Sequence, residues 1–184
     1  MLHPEYPIRT ERLLLRPLDP AADVDACLEY QSDEEVCRYI PYTPSNREQV
    51  IERLERAVSV IDEPGQVFNL AVVLADTGEL IGDVVLFFHS AEHRSGEVGY
   101  VINPRFQGNG YATEVTRALL TLAFDGLDLH RVVGRIDARN AASAAVLRRV
   151  GMRQEAHLRE NEWFKGEWGD EVVFAILADE WRAG

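Results

Sequence analysis

The alternation of apolar and polar positions divides the chain into short strands and amphipathic helices. Ile8 to Leu18 mixes β-branched and leucine residues with charges and stops at Asp19-Pro20, which predicts an opening strand, with a helix following over about Ala22 to Gln31. Ser45 with Glu48 three residues later has the capping-box pattern, and Val50, Leu54, Ala57, Val58 and Ile61 then recur at helical spacing until Pro64-Gly65. From Val67 the pattern changes: Val67 to Leu74, an Asp76-Thr77-Gly78-Glu79 turn and Leu80 to Phe88 predict a hairpin of two largely buried strands, continued by a third over Gly96 to Asn103. Tyr111 to Phe124 carries Ala112, Val115, Leu119, Leu122 and Ala123 on one face and stops at Gly126. Arg131 to Ala138 predicts a strand, and Asn140 to Val150 an alanine-rich helix ended by Gly151. Arg153 to Phe164, a Lys165-Gly166-Glu167-Trp168-Gly169 turn and Glu171 to Ala178 predict a closing hairpin. The order β-α-α-β-β-β-α-β-α-β-β, with no internal repeat, low-complexity tract or composition shift, points to one mixed α/β (α+β) domain over residues 1–184.

Composition narrows the function. At 46% apolar and 27% charged the chain sits near the globular average, away from disordered and fibrous classes. Lys and Arg total 19 against 31 Asp and Glu, a net charge of -12, which argues against nucleic acid as a partner and fits a cationic substrate better. Cys27 and Cys37 cannot build a disulfide framework and match no metal spacing, which favours reduced thiols and the cytoplasm. The N-terminus has neither a basic nor an apolar signal region, and the longest apolar runs fall far short of a membrane span. His89 and His93 are four apart at a strand end with no third ligand nearby, so no metal site is expected.

The most informative stretch is Glu97-Val98-Gly99-Tyr100-Val101-Ile102-Asn103-Pro104-Arg105-Phe106-Gln107-Gly108-Asn109-Gly110-Tyr111-Ala112-Thr113-Glu114, a strand passing through a Gly-x-Gly loop into a helix. Such a loop either serves as a plain strand-to-helix turn or presents backbone N–H groups and a helix N-terminus to a phosphate. No Gly-Lys-Ser/Thr follows, and Thr113 stands where a dinucleotide fingerprint needs its third Gly.

Gln107-x-x-Gly-x-Ala inside Glu-x-Gly-Tyr-x-Ile-x-Pro resembles the acetyl-CoA-binding signature of the GNAT N-acetyltransferases. Asn140-Ala-Ala-Ser143-Ala-Ala-Val-Leu-Arg-Arg-Val-Gly151-Met152 resembles a helix of the RimJ/RimL-type branch of that superfamily. The opening Thr10-Glu11-Arg12-Leu13-x-Leu15-Arg16 and the closing Lys165-Gly166-x-Trp168-x-Asp170, with Glu180-Trp181, are similar to that branch as well. The resemblance spans nearly the whole chain in order. It implies the GNAT acyl-CoA N-acyltransferase fold, a central, mixed, mostly antiparallel sheet flanked by helices.

It also implies transfer of an acetyl group from acetyl-CoA, as cosubstrate, to a primary amine by direct attack in a ternary complex. The acyl-CoA would lie in an opening between the strands of Gly99 to Asn103 and Arg131 to Ala138, with the pantetheine arm on backbone at Val101 and Ile102. Gln107, Gly108, Asn109, Gly110, Tyr111 and Ala112 would hold the pyrophosphate. Asn140 and Ser143 would contact the pantetheine and thioester, Asn140 serving equally well as a helix N-cap. The family's usual Tyr acid falls at Leu147 here, leaving Ser143 or water, and Glu97 is the candidate general base. Tyr39, Phe88 and Trp163, with Tyr42 and Trp168, are candidates for the acceptor side. A non-catalytic acyl-CoA sensor, a larger donor such as succinyl-CoA, and a nucleotide-binding domain remain as alternatives, and the closing hairpin could pair across a homodimer.

Overall fold

The computed structural model describes residues 1–184. Two short strands, β1 (Ile8–Arg9) and β2 (Leu13–Arg16), open the chain and pair antiparallel. The single strand expected over Ile8 to Leu18 is therefore broken at Thr10–Arg12, where the chain doubles back. Helices α1 (Val24–Gln31), α2 (Glu34–Cys37) and α3 (Arg47–Glu55) follow.

The capping box of α3 is real but sits one residue later than expected, with Asn46 as cap and Gln49 as its partner. Ser45 is instead buried, its N–H donating to the Gln31 carbonyl and its hydroxyl accepting from Arg53. The helix also stops before Ala57, and Val58 and Ile61 bridge to Phe68 and Leu2 in extended backbone.

Strands β3 (Val67–Leu74), β4 (Leu80–Ser90) and β5 (Ser95–Ile102) form the expected antiparallel meander. A short 3₁₀ turn over Pro104–Phe106 leads to α4 (Tyr111–Thr121), which ends in a π-type turn over Leu122–Gly126. Then come β6 (Arg131–Asp137), α5 (Ala141–Arg149), β7 (Arg153–Phe164), β8 (Glu167–Leu177) and α6 (Ala178–Ala183), the last not foreseen. The closing turn shrinks to Lys165-Gly166, whose φ angles of 50° and 86° are the pair a two-residue hairpin loop requires.

All eight strands form one sheet in the order β1-β2-β3-β4-β5-β6-β8-β7. Every neighbouring pair is antiparallel except β5 and β6, which are joined by α4 as a parallel crossover. One apolar cluster, with Leu15, Leu70, Val84, Leu86, Val98 and Ile102 from the sheet, packs under α4 through Val115, Leu119 and Leu120. A second, smaller one packs α1 and α3 on the opposite face through Cys27, Tyr30, Val50, Leu54, Ala71 and Val73.

Candidate active site

The only parallel pair in the sheet is also the pair that comes apart. β5 and β6 are in register from Ser95–Arg131 to Glu97–Val133 and then diverge, although both strands continue, β5 to Ile102 and β6 to Asp137. The groups exposed in the resulting gap follow from the antiparallel ladder on the other side of β5. The Asn103 N–H donates to the Ile81 carbonyl, so the alternating ladder turns the backbone of residues 97, 99, 101 and 103 toward β4 and that of 98, 100 and 102 toward β6. Tyr100 and Ile102 therefore face the gap, whereas the Val101 N–H and C=O face β4, a one-residue shift from the expected pair Val101 and Ile102.

Beyond the strand end, the Gln107 side chain donates to the Ile102 carbonyl at 2.9 Å. Asn109 donates to the carbonyls of Phe106 and Gln107, at 3.0 and 3.2 Å. Both side chains are thus used to shape the loop, which leaves its backbone to meet a ligand. Gly108 has φ of 79° with open space around it, and Gly110, with φ of 83°, caps α4 in the left-handed region. The N–H groups of Tyr111 and Ala112 begin α4 and have no partner within the helix. Such a set of unsatisfied donors at a helix N-terminus suits an anion.

The loop is also braced from the N-terminal strands. Thr10 Oγ1 and the Arg12 N–H donate to Glu114 Oε1 at 2.6 and 2.7 Å, and Arg12 Nε to Glu114 Oε2 at 2.8 Å. Arg12 also donates to the Asn109 carbonyl at 2.9 Å and lies over the Tyr111 ring. Burial alone would raise the Glu114 carboxyl, but the bonds from Thr10 and Arg12 outweigh it and hold it below the ordinary 4.5. Arg9, Arg12, Arg117 and Arg149 line the groove alongside this loop, a cationic patch on a molecule of net charge -12.

Asn140 caps α5, accepting from the Ser143 N–H at 3.0 Å. Ser143 lies in the first turn of that helix, and the Tyr100 hydroxyl donates to its carbonyl at 3.4 Å. Leu147, one turn later, is fully buried and packs its δ carbons against Gly134 of β6.

On the opposite face of the sheet, a pocket of about 210 Å³ is lined by Tyr39, Glu97, Arg135, Asp137, Phe164 and Glu171, among others. Glu97 Oε2 meets His89 Nε2 at 3.2 Å and Arg135 Nε at 3.4 Å. Arg135 Nη1 continues to the buried Glu171 at 2.5 Å, whose other oxygen accepts from Asn161 at 2.8 Å. Asp137, Glu162 and Asp170 add three more carboxylates to the lining. Arg139 grips Asp137 with two bonds and holds its carboxyl below the usual range.

Of the acceptor-side candidates, Tyr39 lines this pocket. Phe88 does not: it is 8% exposed in the core under α4, because period-two alternation on β4 places it with Val84 and Leu86. Its neighbour Phe87 stands directly opposite Glu97 instead. Trp163 misses the pocket for the same reason, since Glu162 and Phe164 on either side of it line the wall. Trp163 and Trp168 form an edge-to-face pair on the hairpin, 62% and 58% exposed. Sequence reading did not single out Arg135 or Glu171: Arg135 stands among Val132, Val133 and Ile136 as a charge within an apolar stretch, a signal that could have found it, whereas Glu171 follows Asp170 at the polar edge of the apolar run of β8 and carries no such signal. The structure contains no group of three or more His, Cys, Asp or Glu placed to hold a metal ion, and no helix long and apolar enough to cross a membrane.

Comparison with known proteins gives this geometry a family. Residues 12–153 match the acetyltransferase (GNAT) domain. The chain is 35% identical over 175 residues to a Bacillus subtilis protein described as uncharacterized N-acetyltransferase YnaD, covering 95% of this chain and 99% of that one. It superposes on a GNAT-family acetyltransferase from Bacillus anthracis with a TM-score of 0.84 at 31% identity, over 94% of this chain and 98% of the other. At 24% identity and a TM-score of 0.79, the fold is also that of a Vibrio cholerae spermidine N-acetyltransferase solved with CoA and spermine, over 94% and 99% of the two chains. With its matching profile, its full-length relatives and its parted parallel strands, the chain belongs to the GNAT family of N-acetyltransferases.

Proposed function

We propose that this chain moves an acetyl group from acetyl-CoA to a primary amine by direct attack within a ternary complex, and that it is a single-domain member of the RimJ/RimL-type branch working in the cytoplasm. The observation that carries the reading is the placement of an open glycine loop and a parted strand pair on one face of the sheet, with Glu97 in a pocket on the other. A donor threaded through the gap meets an acceptor from the opposite side, which is what a direct transfer needs. The Gly108–Ala112 backbone takes the pyrophosphate, and the arginines beside it suit the remaining phosphate. The Tyr100 and Ile102 N–H groups lie along the gap, where they would orient the pantetheine and polarise the acetyl carbonyl. Glu97 accepts the proton from the attacking nitrogen, directly or through water.

The acceptor pocket carries five carboxylates, Glu97, Asp137, Glu162, Asp170 and Glu171, and one guanidinium, Arg135. That imbalance, with Tyr39 and Phe164 in the wall, favours an acceptor with positive charge beyond the reacting nitrogen. Buried, unpaired Cys27 and Cys37 fit a reducing compartment. The test is thiol release from acetyl-CoA against a panel of polyamines, amino acids, aminoglycosides and peptides with free N-termini, with succinyl-CoA as competing donor. Turnover with a cationic amine and preference for acetyl-CoA is expected. Binding of acetyl-CoA without turnover on any amine would contradict the enzyme and favour a sensor, for which the apolar Leu147 is the supporting observation.

A further inference from the structure

The breaking carbon–sulfur bond leaves a thiolate, and α5 offers no phenol to meet it, because Leu147 is buried against Gly134. A phenol nevertheless reaches the first turn of α5, at Ser143, from the facing strand. Tyr100 belongs to β5, directs its backbone into the gap, and sends its side chain to the helix face, where the hydroxyl meets the first turn of α5 at Ser143. We propose that Tyr100 is the hydrogen-bond donor to the departing sulfur of acetyl-CoA, acting from β5 in place of a donor on α5. This rests on the acetyl-transfer reading of the site.

Three features fit Tyr100 to this task. Its bond to the Ser143 carbonyl, at 3.4 Å, is far longer than the 2.7–2.8 Å typical of a hydroxyl donor, so the O–H is easily redirected to a better acceptor. The carbonyl it would leave lies inside a helix and is the natural acceptor of the N–H four residues on, so little is lost when the phenol turns away. Burial pushes the phenol up to about 12, so it stays protonated at neutral pH. An ordinary thiol titrates near about 8.5. Tyr100 therefore donates a hydrogen bond without surrendering its proton.

In the step itself, the amine nitrogen bonds to the acetyl carbon and the carbon–sulfur bond breaks with its electron pair on sulfur. The sulfur is held by the Tyr100 O–H and is protonated by water afterwards. The proton lost by nitrogen goes to Glu97 or water.

The test is Tyr100→Phe, which keeps the ring and removes the hydroxyl. Two readouts are used: acetyl-CoA turnover with separately measured affinity, and titration of the thiol of bound CoA by its ultraviolet thiolate band. The variant is expected to lose on the order of 100-fold in kcat, to hold its acetyl-CoA Kd within about twofold, and to shift the bound thiol to higher pKa. A kcat within about twofold of wild type, or a thiol titration identical in both proteins, would overturn the assignment. Because the thiol titration needs no acceptor, a wild type inert to every amine would sink the acetyl-transfer reading, while a lowered thiol pKa lost in Tyr100→Phe would still place the hydroxyl on the sulfur. Tyr100 bearing 3-fluorotyrosine, which preserves the donor, guards against a folding artefact and should retain the lowered thiol pKa.

Discussion

Glu97 is held between His89 and Arg135, and Arg135 is anchored in turn by Glu171, so the carboxylate proposed as base is fixed in place before any substrate arrives. Removing its charge with Glu97→Gln should lower kcat by on the order of 100-fold while leaving acetyl-CoA affinity unchanged, because the residue faces the acceptor side. Arg135→Met tests whether the arginine acts through Glu97. The double variant should then be no slower than Glu97→Gln alone, whereas losses that multiply would mean the two side chains act separately. The residue scale is also where sequence reading was weakest. Trp163 stands one position from two residues that line the pocket, and Phe88 one position from Phe87, the partner of Glu97 across the ladder, since strand alternation assigns faces only once the register is known, and a slip of one exchanges them. Glu97 and Tyr39 both line the pocket, and a motif or a loop position, not a face, had singled them out.

Among the elements, the gap depends on how β4 holds β5. A methyl added at Gly82 would overlap the Val101 carbonyl, and one at Gly99 would crowd Val85. These glycines let β4 and β5 approach closely, and the strained contact expected for Gly82→Ala should destabilise the fold by about 1–3 kcal/mol in denaturant titration. The clip from Thr10 and Arg12 to Glu114 joins β1 and β2 to the helix that carries the loop. Its contribution is pH-dependent. The folded-state pKa of Glu114 lies below its ordinary 4.5, so the stabilisation is present above about pH 4.5 and is lost as pH falls through the lower folded value. Glu114→Gln should therefore lower the melting temperature near neutrality and narrow the gap to wild type below pH 4. A constant difference across pH would mean the clip is not electrostatic. The opening Thr-x-Arg motif thus acquires a physical reason that the sequence alone withheld, because the partner lies about a hundred positions away. Strongly periodic elements such as β3 to β5 and α4 were legible, whereas α6 and the three-residue reversal at Thr10–Arg12 were too short to leave a period.

At the scale of the whole molecule, the charge of -12 is unevenly spread, with arginines beside the glycine loop and carboxylates around Glu97 on the far face of the sheet. That separation of charge would draw an anionic donor and a cationic acceptor to different sides of the sheet, and salt should weaken both. The family resemblance made the topology legible, since four motifs in order fix the sequence of elements, but neither the direction of each backbone group in the gap nor the Glu97–Arg135–Glu171 chain can be read without the register between strands. The most direct measurement is calorimetric titration of acetyl-CoA into the wild type and into Gly108→Asp. Position 108 has open space but a left-handed backbone, which Asp adopts only at some strain, so the substitution places a carboxylate where the pyrophosphate would lie, and circular dichroism establishes first that the variant is folded. Saturable binding by the wild type that the folded variant loses is the predicted result; equal binding by both, or none by the wild type, would contradict the assignment of this loop.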